Sequence, residues 1–179
     1  MLNNGHDQPL LDVEDMNPML PVTIRQRKPN PIDLDRINEI IKTAIDTWQL
    51  SERIKRISFP LYRYQQDDLI HMKFLIAKIE GRGIVGLAAL EETIGTRLPD
   101  TSRMMLLHGL YVDPLYHRRG VATQLLNSAE LSASNFGMTG LLVKAQADAV
   151  AFFLKKGFTQ LPVEDDSQDY VYRYWKPVQ

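Results

Sequence analysis

"LLHGLYVDPLYHRRGVATQLLNSAELSA", residues 106–133, changes character twice within one run, and those changes decide the fold. Its first part extends "MMLLHGLYV" (104–112), an apolar stretch suited to a buried strand. Asp113-Pro114 ends the strand. The last part places Val121, Ala122, Leu125, Leu126, Ala129 and Ala133 along one side of a helix, with Gly137 available to stop it. Between them "HRRGVA" (117–122) crowds an imidazole, two guanidiniums, a glycine and a small residue against the helix start. A helix N-terminus carries unpaired N–H groups and about half a positive charge. Arg118 and Arg119 reinforce it, so this end attracts an anion, phosphate above all. A pyrophosphate must come close to the backbone to collect several N–H bonds, and a Cβ at Gly120 would obstruct it.

Outward from this centre the chain alternates strand and helix patterns. "VTIRQR" (22–27) predicts a short strand, and from Asp33 the positions Leu34, Ile37, Ile40, Ile41, Ala44, Ile45 and Trp48 fall at helical spacing. A second helix is expected over about 51–57, before Pro60. "IHMKFLIAKI" (70–79) and "IVGLAAL" (84–90) predict two strands. Beyond the central helix, "GLLVKA" (140–145) predicts a buried strand and Asp148 the cap of a helix over "AVAFFLKK", stopped by Gly157. "FTQLP" and "YVYRYW" predict two closing strands around the acidic loop "VEDDSQD". The order β-α-α-β-β-β-α-β-α-β-β is that of a mixed α/β domain without internal repeats. The string "GRGIVG" (81–86) matches a dinucleotide fingerprint, but it joins two strands and no helix follows it, so a hairpin turn explains its glycines better.

Composition narrows the partners. In 179 residues, 44% are hydrophobic and 24% charged, as for one globular domain, and the formal net charge of −1 supports neither a nucleic-acid nor a membrane-surface binder. There is no cysteine, hence no disulfide, thiol nucleophile or thiolate zinc site, and the four histidines lack metal-ligand spacing. Residues 1–21 are expected to form a loose N-terminal tail and 22–179 the domain. The first twenty residues are acidic and interrupted by proline, unlike a signal peptide, and no run is long enough to span a membrane. A cytoplasmic protein without metal is the expectation.

The strand "LLHGLYVDP", loop "LYHRRGVA", helix "TQLLNSAELSA", strand "GLLVKA" and helix "DAVAFFLKKGF" together resemble the GNAT superfamily of acetyl-CoA-dependent N-acetyltransferases. The resemblance in element order covers about residues 22–176, and its specific motifs lie in 106–158. Its loop motif, Q/R-x-x-G-x-G/A, is met by His117, Arg118, Arg119, Gly120, Val121 and Ala122, with histidine departing at the first position. "AFFLKKGF" is similar to the family's aFYxxxGF, with Phe153 where tyrosine is common. The resemblance implies a central mixed, partly splayed sheet flanked by helices. It implies that the amides of about Arg118 to Thr123 cradle the pyrophosphate of coenzyme A. Backbone groups of Leu110, Tyr111 and Val112 would meet the pantetheine arm like an added strand.

Acetyl transfer needs a neutral amine, and an alkylammonium must first lose its proton. His108 is the best-placed base, and strict alternation would put it on the same face as Leu110, with Tyr111 pointing away. Tyr62 and Tyr64 are candidates for shaping the acceptor pocket, and Glu164, Asp165, Asp166 and Asp169 for attracting a cationic amine, although packing and a solvated loop explain them as well. The expected function is therefore transfer from acetyl-CoA to a primary amine, on a small molecule or a peptide, in a ternary complex. A homodimer is compatible with the resemblance. Because Phe153 has no hydroxyl, a non-catalytic acyl-CoA sensor is the alternative.

Overall fold

The computed structural model describes residues 21–93, 103–163 and 170–178. The expected tail up to residue 20 and the acidic residues Glu164, Asp165, Asp166 and Asp169 lie outside them. The chain runs β1 (Thr23–Gln26), α1 (Pro31–Asp46), α2 (Glu52–Tyr62), α3 (Asp68–His71), β2 (Lys73–Ile79), β3 (Gly83–Thr93), β4 (Met104–Val112), α4 (Val121–Asn135), β5 (Gly140–Lys144), α5 (Val150–Lys155), β6 (Thr159–Gln160) and β7 (Arg173–Pro177). The strands form one sheet in the order β1-β2-β3-β4-β5-β7-β6. Among the described residues only β4 and β5 pair in parallel. The other neighbours are antiparallel.

Two apolar layers hold the sheet between helices. On one face Ile37, Ile40, Ile41 and Ile45 of α1 are buried against Phe74, Ile76, Leu87, Ala89 and Tyr111. On the other, Val121, Leu125, Leu126, Ala129 and Ala133 of α4 meet Leu75, Ala77, Val85, Leu107 and Phe153. Each fully buried valine, leucine or isoleucine among them contributes roughly 1.5–3 kcal/mol. No helix among the described residues is long and apolar enough to cross a membrane.

Several boundaries depart from the sequence pattern for identifiable reasons. α1 begins at Pro31, because Asn30 and Asp33 form a reciprocal capping box. α2 continues through Pro60 to Tyr62. Residues 68–71 form the short helix α3, which shortens the expected strand 70–79. Asp148 does not cap α5: the residue before that helix is Ala149, without a side-chain cap bond. Asp148 Oδ2 instead accepts from Gln49 N (2.9 Å), tying the α1–α2 connection to the segment after β5. The last strand starts at Arg173, so Tyr170 and Tyr172 precede it. The hairpin reading of "GRGIVG" holds, with Gly81 and Gly83 at φ +72° and +76° between antiparallel β2 and β3.

The largest departure lies in β4. Ala89 pairs with Gly109 but Leu90 with Leu107, so His108 is an extra residue in a β-bulge. The bulge breaks the alternation. Leu110 packs toward the α4 layer, whereas His108 meets Tyr64 in the α1 layer. His108 and Leu110 are therefore on opposite faces, and Tyr111 lies on the side of His108, reversing both expectations.

Candidate active site

The same strand opens the sheet. β4 pairs with β5 only from Met104–Gly140 to Leu107–Val143, so residues 108–112 have no strand partner on that side among the described residues. Asp113 N–H donates to Val85 O (2.9 Å), which fixes the phase of the β3–β4 ladder. By alternation Tyr111 bonds Leu87 of β3, while the N–H and C=O of Leu110 and Val112 face the opening. The Val112 carbonyl has a partner: it accepts from His117 Nε2 at 2.9 Å, and since a carbonyl only accepts, that nitrogen carries the proton. Leu110 N–H, Leu110 C=O and Val112 N–H remain for an extended ligand.

At the lower end of the opening, Asp113 anchors the turn into α4. Its Oδ1 accepts from Leu115 N (3.0 Å), and its Oδ2 pairs with Arg36 Nη2 (2.5 Å). Arg36 Nε also donates to Ile84 O (3.2 Å), so one guanidinium joins α1, β3 and this turn. The loop then takes two left-handed residues, Arg118 at φ +60° and Gly120 at φ +77°. Gly120 is the residue capping α4, and the first helical bond is Gln124 N to Gly120 O (3.0 Å). The N–H groups of Val121, Ala122 and Thr123 therefore have no partner within the helix. Arg118 and Arg119 are exposed and form no ion pair among the described residues. Unpaired amides, a glycine and two cations thus meet where the sequence predicts an anion site.

The upper end is aromatic. Tyr64 Oη lies 3.2 Å from His108 Nδ1. Tyr64 is buried, and burial pushes its phenol well above the usual tyrosine range. Burial, with a smaller effect of Tyr62, does the same to Tyr111. Both hydroxyls stay protonated through the neutral range. Tyr62 Oη accepts from Gln146 Nε2, and Tyr170 Oη donates to Ala145 O (2.9 Å), so phenols line the segment that follows β5. Phe153 is 4% exposed and packs edge-on against Phe152 and Phe158.

The structure thus brings His108, Tyr64 and Tyr111 together at one end of the opening and residues 117–123 at the other. The roles of His108 and Tyr111 depend on the bulge, for which the sequence carries one weak signal, the glycine after His108. No group of three potential metal ligands occurs among the described residues. Two surface grooves, between α4 and β7 and along β1–β2, lie away from the opening.

A sheet with one parallel junction that splays above a glycine-capped helix is the architecture of acyl-CoA-dependent acetyltransferases of the GNAT type. The sequence profile described as "Acetyltransferase (GNAT) domain" matches residues 63–171, more than half of the chain. The chain belongs to the GNAT acetyltransferase family. Among solved structures it is similar to a GCN5-related N-acetyltransferase from Rhodopseudomonas palustris, at 23% identity and TM-score 0.64, over 89% of this chain and 98% of that one. It is also similar to the PaiA N-acetyltransferase from Thermoplasma acidophilum in complex with coenzyme A, at 17% identity and TM-score 0.64, over 87% and 99%. A GNAT family acetyltransferase from Brucella melitensis in complex with acetyl-CoA matches at 15% identity and TM-score 0.58, over 87% and 88%. No curated protein matches the chain in sequence.

Proposed function

We propose that this chain transfers an acetyl group from acetyl-CoA to a primary amine within a ternary complex. The observation that carries the reading is the opening along residues 108–112, which ends on unpaired amides capped by Gly120. The amides of about Arg118 to Thr123 bind the pyrophosphate, with the Arg118 and Arg119 guanidiniums beside it. Leu110 and the N–H of Val112 pair with the pantetheine arm, and Tyr111 contributes the ladder bond that keeps this edge straight. His117 holds the strand end through the Val112 carbonyl, and in its charged form also favours phosphate. Ala122 keeps the loop's second approach small, and Phe153 supplies an apolar wall.

The amine, on a small molecule or a peptide, enters on the α1–α2 side, where Tyr62 and Tyr64 stand. His108 takes its proton directly or through a water. Tyr64 holds the imidazole at Nδ1 and so presents the other ring nitrogen. Thiol release from acetyl-CoA over a panel of primary amines tests the reading, with intersecting initial-rate lines expected for a ternary complex. His108→Ala should lower turnover about 10²–10⁴-fold with acetyl-CoA affinity little changed. Retention of most of the activity would return His108 to a packing role.

One observation favours a second reading. The buried Phe153 ring has no proton to give a departing thiolate, as a non-catalytic acyl-CoA sensor would allow. A sensor would bind acetyl-CoA without releasing thiol with any amine, and Phe153→Tyr would then add turnover. On the enzyme reading that variant keeps affinity and changes turnover only modestly.

A further inference from the structure

The Tyr111 phenol has no work in the reading above, which uses only its backbone. The residue is 8% exposed, yet its hydroxyl forms no hydrogen bond among the described residues. That oxygen is not sealed off completely and keeps some accessible surface. An unpaired hydroxyl on a buried ring calls for an explanation.

Its position supplies one. A Cβ built on Gly109 would lie 2.5 Å from Tyr111 Cε2 and 2.5 Å from Tyr64 Oη. The Tyr111 ring therefore folds back over Gly109 toward the bulge, where Tyr64 meets His108. The next residue is Leu110, whose N–H faces the opening. The glycine leaves room for two phenols and an imidazole to converge where a thioester laid along the edge would end. Burial keeps the Tyr111 proton in place, so this phenol is a standing hydrogen-bond donor.

We propose that the Tyr111 hydroxyl is a catalytic residue of the transfer, donating a hydrogen bond to the thioester carbonyl oxygen of acetyl-CoA and stabilising the oxyanion formed there. The proposal rests on the acetyl-CoA reading of the opening. As the amine nitrogen bonds the carbonyl carbon, the π pair moves onto oxygen, facing Tyr111 O–H and Leu110 N–H. His108, having passed the ammonium proton on to solvent, takes the nitrogen's surplus proton. When the carbonyl re-forms, the C–S bond breaks and its electron pair leaves with sulfur. The proton held by His108 then completes the thiol. Tyr111 neither gains nor loses a proton, and Phe153 needs no hydroxyl.

Isotope-edited infrared spectroscopy tests this without turnover. Acetyl-CoA labelled with ¹³C at the carbonyl should show its stretch moved to lower wavenumber on binding the parent. In Tyr111→Phe most of that movement should vanish, with calorimetric affinity within about threefold and turnover about 10²–10³-fold lower. Replacing Tyr111 with 3,5-difluorotyrosine, a stronger donor of the same shape, should enlarge the movement. A carbonyl stretch that moves equally in parent and Tyr111→Phe, or does not move in the parent, overturns the proposal and leaves acetyl-CoA binding intact. A parent that does not bind acetyl-CoA overturns the reading and the proposal together.

Discussion

A methyl group on Gly109 would press on the Tyr111 ring edge and the Tyr64 hydroxyl at the same time, both at 2.5 Å. Neither ring can retreat easily, because Tyr64 packs edge-on against Phe74 and Tyr111 lies in the α1 layer. Gly109→Ala should therefore cost about 1–3 kcal/mol, the usual range for overpacking a filled core. Urea unfolding measures the loss. A larger effect on turnover than on stability would follow from displacing His108 and Tyr111, and stability equal to the parent's would mean that the two phenols do not converge over this residue.

At the scale of elements, α2 runs through Pro60 although proline lacks the N–H that a helix uses. No residue of α2 is buried, so little packing compensates. Pro60→Ala should stabilise the protein, by up to about 3 kcal/mol, and raise its melting temperature. An unchanged or lower melting temperature would mean that Pro60 serves the turn toward Tyr64. Periodicity locates α1 and α4 because each buries one continuous face, Ile37 to Ile45 in the first and Val121 to Ala133 in the second. The glycine-capped loop before α4 is legible as a candidate anion site because its glycine, arginines and helix start are adjacent in the chain. His108 is legible as a candidate, but its face is not, since one extra residue in β4 inverts the alternation and only pairing with β3 reveals it. Asp148 illustrates the same limit: its local position suits a cap, and a contact 99 residues away in the chain takes the carboxylate instead.

For the whole molecule, the junction of β1 with α1 is an acid-sensitive point. Arg27 grips Asp33 through two bonds of 2.6 and 2.7 Å, and this pairing, with the Asn30 backbone bond, holds the carboxyl below its usual range despite burial. Asp33 therefore contributes stability above the ordinary aspartate pKa of about 4, and that contribution is lost as pH falls through the lowered folded value. Asp33→Asn should be less stable than the parent at pH 7 and approach it as pH drops below about 4, as thermal melts across that range would show. A constant gap would mean that the carboxyl's charge contributes nothing. Three residues along the same helix, Arg36 braces the turn before Gly120, and we propose that the loop ending there holds the pyrophosphate of acetyl-CoA. Calorimetric titration of acetyl-CoA into the parent and Gly120→Asp tests it most directly. At φ +77° the substitution itself costs about 1–2 kcal/mol, so both proteins are titrated well below their melting temperatures. Saturable binding by the parent and none by Gly120→Asp is the predicted result, and equal binding by both would contradict the claim.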